Sequence, residues 1–278
     1  MSNIAVVCAG TGLAGVRPQQ VGLPDGPPAR ALDPHLPAEE LLDAVRLLAE
    51  EHCSLVVLHD VRDRTGRQAL LAVRALTEAE MLVVPVALPQ LGLVVTAATL
   101  SALLPDEPAA TLLAELIPQV AARLHVLARV SSVAGLREPS PRLTQHARSL
   151  LPGGAFLVTL QPAAAVTHWD ARQGQQLAPI PAGCVAVLRG DEDAAVRNRI
   201  LVSWPRTPVV ELAPSATAAS WFGARKVTEV VVAPLDLGPL RSAVGAPAAL
   251  CRWCHQPARG SVCFGCSMLR TEDLGRPA

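Results

Sequence analysis

Cys251, Cys254, Cys263 and Cys266 form two C-x-x-C knuckles eight residues apart, four thiols within a stretch of sixteen residues. Two intervening residues let a knuckle offer both sulfurs to one ion, and two knuckles on facing arms close a tetrahedral shell with Zn–S bonds of about 2.3 Å. The spacing predicts one structural zinc, because four thiolates leave no coordination position open to a substrate. Disulfides are the alternative; the chain has no secretory signal, and Cys8, Cys53 and Cys184 lie scattered and unpaired in sequence. Trp253 and Phe264 within the knuckles read as exposed anchors through which the hairpin docks on a protein partner.

The densest polar cluster is His59-Asp60-Val-Arg62-Asp63-Arg64-Thr65-Gly66-Arg67, placed directly after an apolar run. A strand ending in such a loop delivers its side chains where open α/β sheets bind ligands. Arg62, Arg64 and Arg67 suit a phosphate or carboxylate, while His59, Asp60 and Asp63 suit proton exchange or a divalent ion. The alternative is a solvated loop capped by Asp63 or Thr65. Near the N-terminus, Gly10-Thr-Gly12-Leu-Ala-Gly15 follows a strand-like run and has the dinucleotide spacing. Arg17-Pro18 and a Pro/Gly-rich stretch follow where that fingerprint requires a helix, so a turn with anion-binding N–H groups at Gly10 and Gly12 is the reading. Trp169, in His168-Trp-Asp170, reads as a loop anchor or as a lid over a cleft.

Those residues need a body to hold them. The chain has 278 residues, half of them hydrophobic, but only three Phe, four Trp and no Tyr. Lys plus Arg and Asp plus Glu both number 24, for a net charge of zero. A neutral chain lacks the basic footprint of phosphate-backbone binding, so nucleic acid is disfavoured as a partner. Met81 to Leu104 carries no charge over 24 residues, long enough to span a membrane. Pro85, Pro89, Gln90 and Gly92 interrupt it and acidic residues flank it, which predicts a strand, a turn and a buried helix in a cytoplasmic protein without membrane insertion.

Short Val/Leu/Ile runs alternate with helical stretches, the pattern of strands buried on both faces of a parallel sheet. The fold class is α/β. Strands are expected at residues 4–8, 55–59, 82–88, 155–160, 184–188, 208–212 and 229–233. Helices are expected at residues 38–51, 65–79, 107–130, 141–150, 191–201, 215–223 and 237–244. Leu55-Val-Val-Leu-His-Asp, a helix and Leu82-Val-Val-Pro-Val-Ala-Leu-Pro echo Val209-Val-Glu-Leu-Ala-Pro, a helix and Val231-Val-Ala-Pro-Leu. The echo suggests two similar open parallel-sheet halves, 1–137 and 138–247, followed by a zinc hairpin at 248–270 and a flexible tail at 271–278; shared composition bias is the alternative.

Val209-Val-Glu-Leu-Ala-Pro-Ser through Val230-Val-Val-Ala-Pro-Leu resembles the middle and last strands of the sirohydrochlorin and cobalt chelatase family, over about 35 residues. The resemblance implies two α/β halves around a tetrapyrrole, and Glu211 matches the family's acidic position. Where that family presents metal-delivering histidines this chain has Ala9 and, further on, Leu91, Leu93 or Val94 and Leu240 or Arg241. The leading expectation is therefore a binding or assembly protein with a chelatase-like body, leaning away from catalysis, docking through its zinc hairpin and taking an anionic small molecule or tetrapyrrole. The alternative is a metal chelatase using His59, Asp60, Asp63 and Glu211; a weaker one is a nucleic-acid-associated zinc-ribbon protein.

Overall fold

The structure is a computed structural model, and it describes residues 4–10, 17–77, 80–106, 109–151, 154–169, 177–190, 194–245, 248–259, 261–265 and 268. The first half is a parallel sheet built from β1 (Ile4–Ala9), β2 (Arg30–Leu32), β3 (Ser54–Asp60) and β4 (Glu80–Val86), in the order β2-β1-β3-β4. Its strands are almost wholly apolar because both faces are covered. Helices α1 (Ala38–Glu51) and α2 (Arg64–Leu76) pack on the outer face through Leu41, Val45, Leu70 and Val73 against Ala5, Val7, Leu55 and Val57. The alternate strand residues, Val6, Cys8, Val56, Leu58 and Val84, face the middle of the molecule.

That middle is a helical layer of α3 (Gln90–Ser101) and α4 (Ala110–Arg123). Every residue of α3 is buried. The helix can be sequestered because it carries no charge and its two threonines satisfy themselves: Thr96 Oγ1 donates to Gly92 O at 2.7 Å and Thr99 Oγ1 to Val95 O at 2.8 Å. The charge-free Met81–Leu104 run thus divides into the end of β4, a turn and α3, and among the described residues no helix is long and apolar enough to cross a membrane.

Beyond the helical layer lies a second sheet, from β5 (His125–Val130), β6 (Phe156–Gln161), β7 (Ala165–His168), β8 (Cys184–Gly190), β9 (Val209–Leu212) and β10 (Val227–Pro234), in the order β7-β6-β5-β10-β8-β9. The helices α5 (Leu143–Ser149), α6 (Ala194–Ser203), α7 (Ala216–Phe222) and α8 (Gly238–Gly245) complete this half. Val187, Val231 and Ala233 meet α3 and α4, and the opposite face packs on Val196 and Ile200 of α6 together with Trp169 and Trp204. Trp169 is buried, with the Arg199 guanidinium 4.7 Å from its ring, which makes it an anchor. One core runs from sheet to helices to sheet.

The mixed α/β class agrees with the sequence reading, but the picture of two similar parallel halves does not hold. In the second sheet only β8 and β9 pair in parallel; β10 is antiparallel to both β5 and β8, and β5, β6 and β7 are antiparallel in succession. The two echoing segments are also inequivalent. β3 and β4 are adjacent and parallel, whereas β8 separates β9 from β10 and those two run in opposite directions. The segment expected as one helix over 107–130 divides at Leu124, whose backbone is extended at φ −78° and ψ 144°, into α4 and β5.

The C-terminus forms a two-stranded antiparallel ribbon, β11 (Ala249–Leu250) with β12 (Pro257–Ala258). It is fixed to the body and does not project from it. Thr111 Oγ1 of α4 donates to Pro257 O at 2.6 Å, Glu115 accepts from Arg259 N at 2.9 Å, Arg74 donates to Gly265 O at 3.2 Å, and Phe264 packs against the main core.

Candidate functional site

A cleft of about 420 Å³ opens at the carboxyl ends of the parallel strands. Ala9 and Gly10 at the end of β1, Asp60 at the end of β3, and His35, Arg62 and Asp63 on the neighbouring loops form one wall. Gln90 and Leu93 in the first turn of α3 form the floor. The second half supplies the other wall with Gly135 and Arg137 after β5 and Thr217, Ser220 and Trp221 on α7.

Each element is held where it is by local chemistry. Asp63 caps α2, accepting from Gly66 N at 2.9 Å, and its other oxygen lies 2.9 Å from His35 Nε2. The His35 backbone N donates to Asp33 Oδ1 at 2.9 Å, which fixes the loop that carries the imidazole. Asp60 Oδ1 accepts from Arg62 N at 2.9 Å. Burial pushes the Asp60 carboxyl above its ordinary range, opposed by that amide and by the Arg62 guanidinium. Arg62 stacks on Trp221, with its guanidinium carbon 3.8 Å from the ring centroid, and reaches Glu138 at 3.5 Å.

The two halves are tied across the cleft by Gln90. Its side-chain carbonyl accepts from Ser215 Oγ at 2.7 Å and also from Thr217 Oγ1. At the far end of α7, Gly223 closes the helix in the left-handed region, φ 62°, with its backbone against Gly135. A Cβ added at Gly135 would lie 2.7 Å from Gly223 O, so this loop seats α7, and with it Trp221, over the cleft only with glycine at that position.

Gly10, Arg62, Asp60 and Asp63, singled out from sequence, therefore meet at the cleft. Gly12 lies outside the described residues, as does Cys266. His59 is buried under the loop: Nδ1 is 3.0 Å from Asp60 O, Nε2 has no partner, and burial lowers its pKa. Arg64 and Arg67 are exposed on the first turn of α2 and are not among the lining residues. Glu211 sits on β9, paired with Arg197 at 3.1 Å, also away from the cleft. His35, Gln90, Arg137, Thr217, Ser220 and Trp221 were not anticipated, since no local motif marks them. Gln90, at the start of α3, is the one available hint, a polar residue inside an otherwise uncharged run.

The C-terminal cysteines form a second cluster. The sulfurs of Cys251, Cys254 and Cys263 lie within 4.8 Å of one another, and Cys251 and Cys263 are fully buried. Docking through Trp253 and Phe264 as a pair is not what the structure supports: Trp253 is exposed, but Phe264 is packed against the core.

No protein-family model matches the sequence, and no curated protein matches it. Solved structures do match in shape. A DegV family protein of Corynebacterium glutamicum superposes with a TM-score of 0.57 at 10% identity, covering 84% of this chain and 97% of its own. A fatty-acid-binding DegV family protein of Thermus thermophilus gives 0.55 at 16% identity, over 84% and 99%. A DegV family protein of Eubacterium eligens loaded with heptadecanoic acid gives 0.54 at 11% identity, over 83% and 99%. These matches overturn the resemblance to the sirohydrochlorin and cobalt chelatases, and with it the zinc-ribbon docking protein, the metal chelatase, the nucleic-acid-associated alternative, the tetrapyrrole partner and the anionic ligand expected at the Arg64 and Arg67 cluster, neither of which lines the cleft. The Val-rich strands that suggested chelatase halves belong to a sheet of different order and direction. At such identities the likeness concerns architecture alone: the chain has the fold of the DegV family proteins.

Proposed function

We propose that the cleft binds a fatty acid, with the carboxylate against Arg62, Arg137 and Ser220 and the beginning of the hydrocarbon chain against Ala9, Leu93 and Trp221. The observation that carries the reading is an inter-half cleft with guanidinium and hydroxyl donors beside the apolar surfaces of Ala9, Leu93 and Trp221, in a fold whose solved members include one loaded with heptadecanoic acid. A volume of about 420 Å³ falls within the roughly 300–1,000 Å³ of small-molecule sites. The acids of the cleft do not oppose an anion strongly. Asp63 is committed to His35 and the α2 cap, and Asp60 accepts from Arg62 N. Asp60, Asp63 and Gly10 thus shape the site and Arg62 contacts the ligand, while His59, Arg64, Arg67 and Glu211 have no direct part. The reading is of binding between the two halves and requires no covalent step.

The test is displacement of a fluorescent fatty acid by hexadecanoic acid. Each charge-assisted hydrogen bond to a shielded carboxylate is worth about 1.5–3 kcal/mol. Arg62→Ala combined with Arg137→Ala should therefore weaken binding at least tenfold, and unchanged affinity would sink the reading.

For the C-terminal cluster we propose a structural zinc held by Cys251, Cys254 and Cys263, with Cys266 as the fourth ligand. The donor set fits: Cys254 Sγ and Cys263 Sγ are 3.6 Å apart, close to the edge of roughly 3.8 Å that a tetrahedron with Zn–S bonds of about 2.3 Å requires. The ion would contribute folding energy to the ribbon and nothing to the cleft. Metal analysis should return about one equivalent, and a metal-free protein carrying disulfides between these residues would exclude it.

A further inference from the structure

Beneath the cleft floor the interior carries a pair of charged side chains with buried polar atoms. Glu229 on β10 and Arg189 on β8 are register partners, and they occupy the strand face that Val231 and Val187 present to the helical layer. Glu229 is 1% exposed, and the Leu91 amide is the donor that reaches its carboxylate while no side chain hydrogen-bonds either oxygen; Nε and Nη1 of Arg189 are also buried and unpartnered. The two side chains sense each other electrostatically, but no hydrogen bond closes between them. The Cys8 thiol influences Arg189, and the Leu91 amide approaches Glu229. The couple lies beneath the cleft floor and is not itself part of the lining: Leu91 is in the first turn of α3, between the floor residues Gln90 and Leu93.

Leaving a carboxylate and a guanidinium open in an apolar interior costs several kcal/mol for each ion. What satisfies both must donate to Glu229 and accept from Arg189. A hydroxyl does this with one atom, because it carries one proton and two lone pairs. A keto oxygen serves Arg189 alone, and an ammonium serves Glu229 alone.

We propose that the natural ligand is a hydroxylated fatty acid, whose chain passes Leu91 and whose hydroxyl bridges Arg189 and Glu229. This rests on the fatty-acid reading of the cleft and adds the class of acid. Burial raises the Glu229 carboxyl to about 7 against the opposing field of Arg189, as fits a carboxyl stripped of water and not yet compensated. The nearby Cys8 thiol is pushed up to about 12 by burial and stays neutral, so it offers no competing charge.

The experiment titrates the intact protein with octadecanoic acid and with monohydroxyoctadecanoic acids whose hydroxyl is moved along the chain. One positional isomer should bind at least tenfold tighter than the unsubstituted acid. That preference should fall to within about twofold when Arg189→Leu and Glu229→Leu are combined. If that double variant does not fold, Glu229→Gln, of nearly the same shape, should reduce the preference at least threefold. Should octadecanoic acid bind as tightly as every isomer, or the preference survive these substitutions, the hydroxyl assignment is overturned while the fatty-acid reading stands. If no acid of either kind binds, the fatty-acid reading itself fails.

Discussion

The C-terminal cysteine ribbon and the inter-half cleft differ in how they announce themselves. The ribbon has the most specific sequence signature in the chain, a pair of C-x-x-C knuckles. Yet three of its sulfurs are drawn together in a largely buried cluster, in a ribbon hydrogen-bonded to α4 through Thr111 and Glu115. The cleft has no motif. Its residues come from six separate stretches of the chain and converge only after both sheets and the α3 layer have formed. Metal ligation needs four atoms around a point, which local spacing can encode. A ligand cavity needs walls, and walls are a tertiary property. The strongest sequence signal therefore marks a fastening, while the binding chemistry is written across the fold.

That comparison breaks first if the ribbon turns out to matter for the cleft. A shortened chain ending at Gly245 removes Phe264 from the core and the Arg259 and Gly265 contacts of α4 and α2. It should lose several kcal/mol, since burying a Phe side chain alone contributes about 1.5–3 kcal/mol, with a drop in Tm on the order of 5–10 °C. Fatty-acid affinity should stay within about threefold in the shortened chain at a temperature where it remains folded. Abolished binding in that folded protein would merge the two regions into one functional unit.

A smaller effect is expected from loosening the tie across the cleft. Ser215→Ala with Thr217→Val leaves the Gln90 carbonyl without both hydroxyl donors. The expected result is about tenfold weaker fatty-acid binding and about 1–3 kcal/mol of lost stability, read by displacement titration and chemical denaturation. Zinc content should not change.

Glu229 offers a third test through pH. Its folded pKa is raised to about 7 from an ordinary 4.5, so the folded state binds the extra proton. Its stabilising share is complete below about pH 4.5 and is lost as pH rises through about 7. Relative to Glu229→Gln, the unsubstituted protein should therefore lose stability between about pH 5 and pH 8, by roughly 1–3 kcal/mol. Parallel Tm curves for the two proteins over that range would remove the uncompensated carboxylate from the account. The smallest effect belongs to Arg64→Ala with Arg67→Ala. Both side chains are exposed on α2 outside the cleft, and binding should change less than twofold.

Much of the secondary structure was legible because apolar runs and helical periodicity are local. α1 falls at residues 38–51 as expected, and the charge-free run around Pro89 divides into strand and helix. β5 was hidden because no glycine or proline separates Arg123 from His125, and an Ala/Leu-rich helix runs into an equally apolar strand. The direction of β10 was not legible at all. A Val-rich segment reads the same in either orientation, and its partners, β5 and β8, are set by distant pairing. In the cleft, Asp60, Arg62 and Asp63 were visible as a polar loop after a strand, whereas Gln90 and Trp221 acquire meaning only when α3 and α7 meet. Glu229 was read as an ordinary member of a strand, since its burial depends on the α3 layer that covers it.

The central claim, that the inter-half cleft is a fatty-acid site, is tested most directly by native mass spectrometry of the gently purified protein with extraction and identification of whatever it carries. The account predicts one fatty acid per chain, displaced by added hexadecanoic acid and absent from the Arg62→Ala, Arg137→Ala variant. A protein that carries no fatty acid and takes up none at tens of micromolar would contradict it.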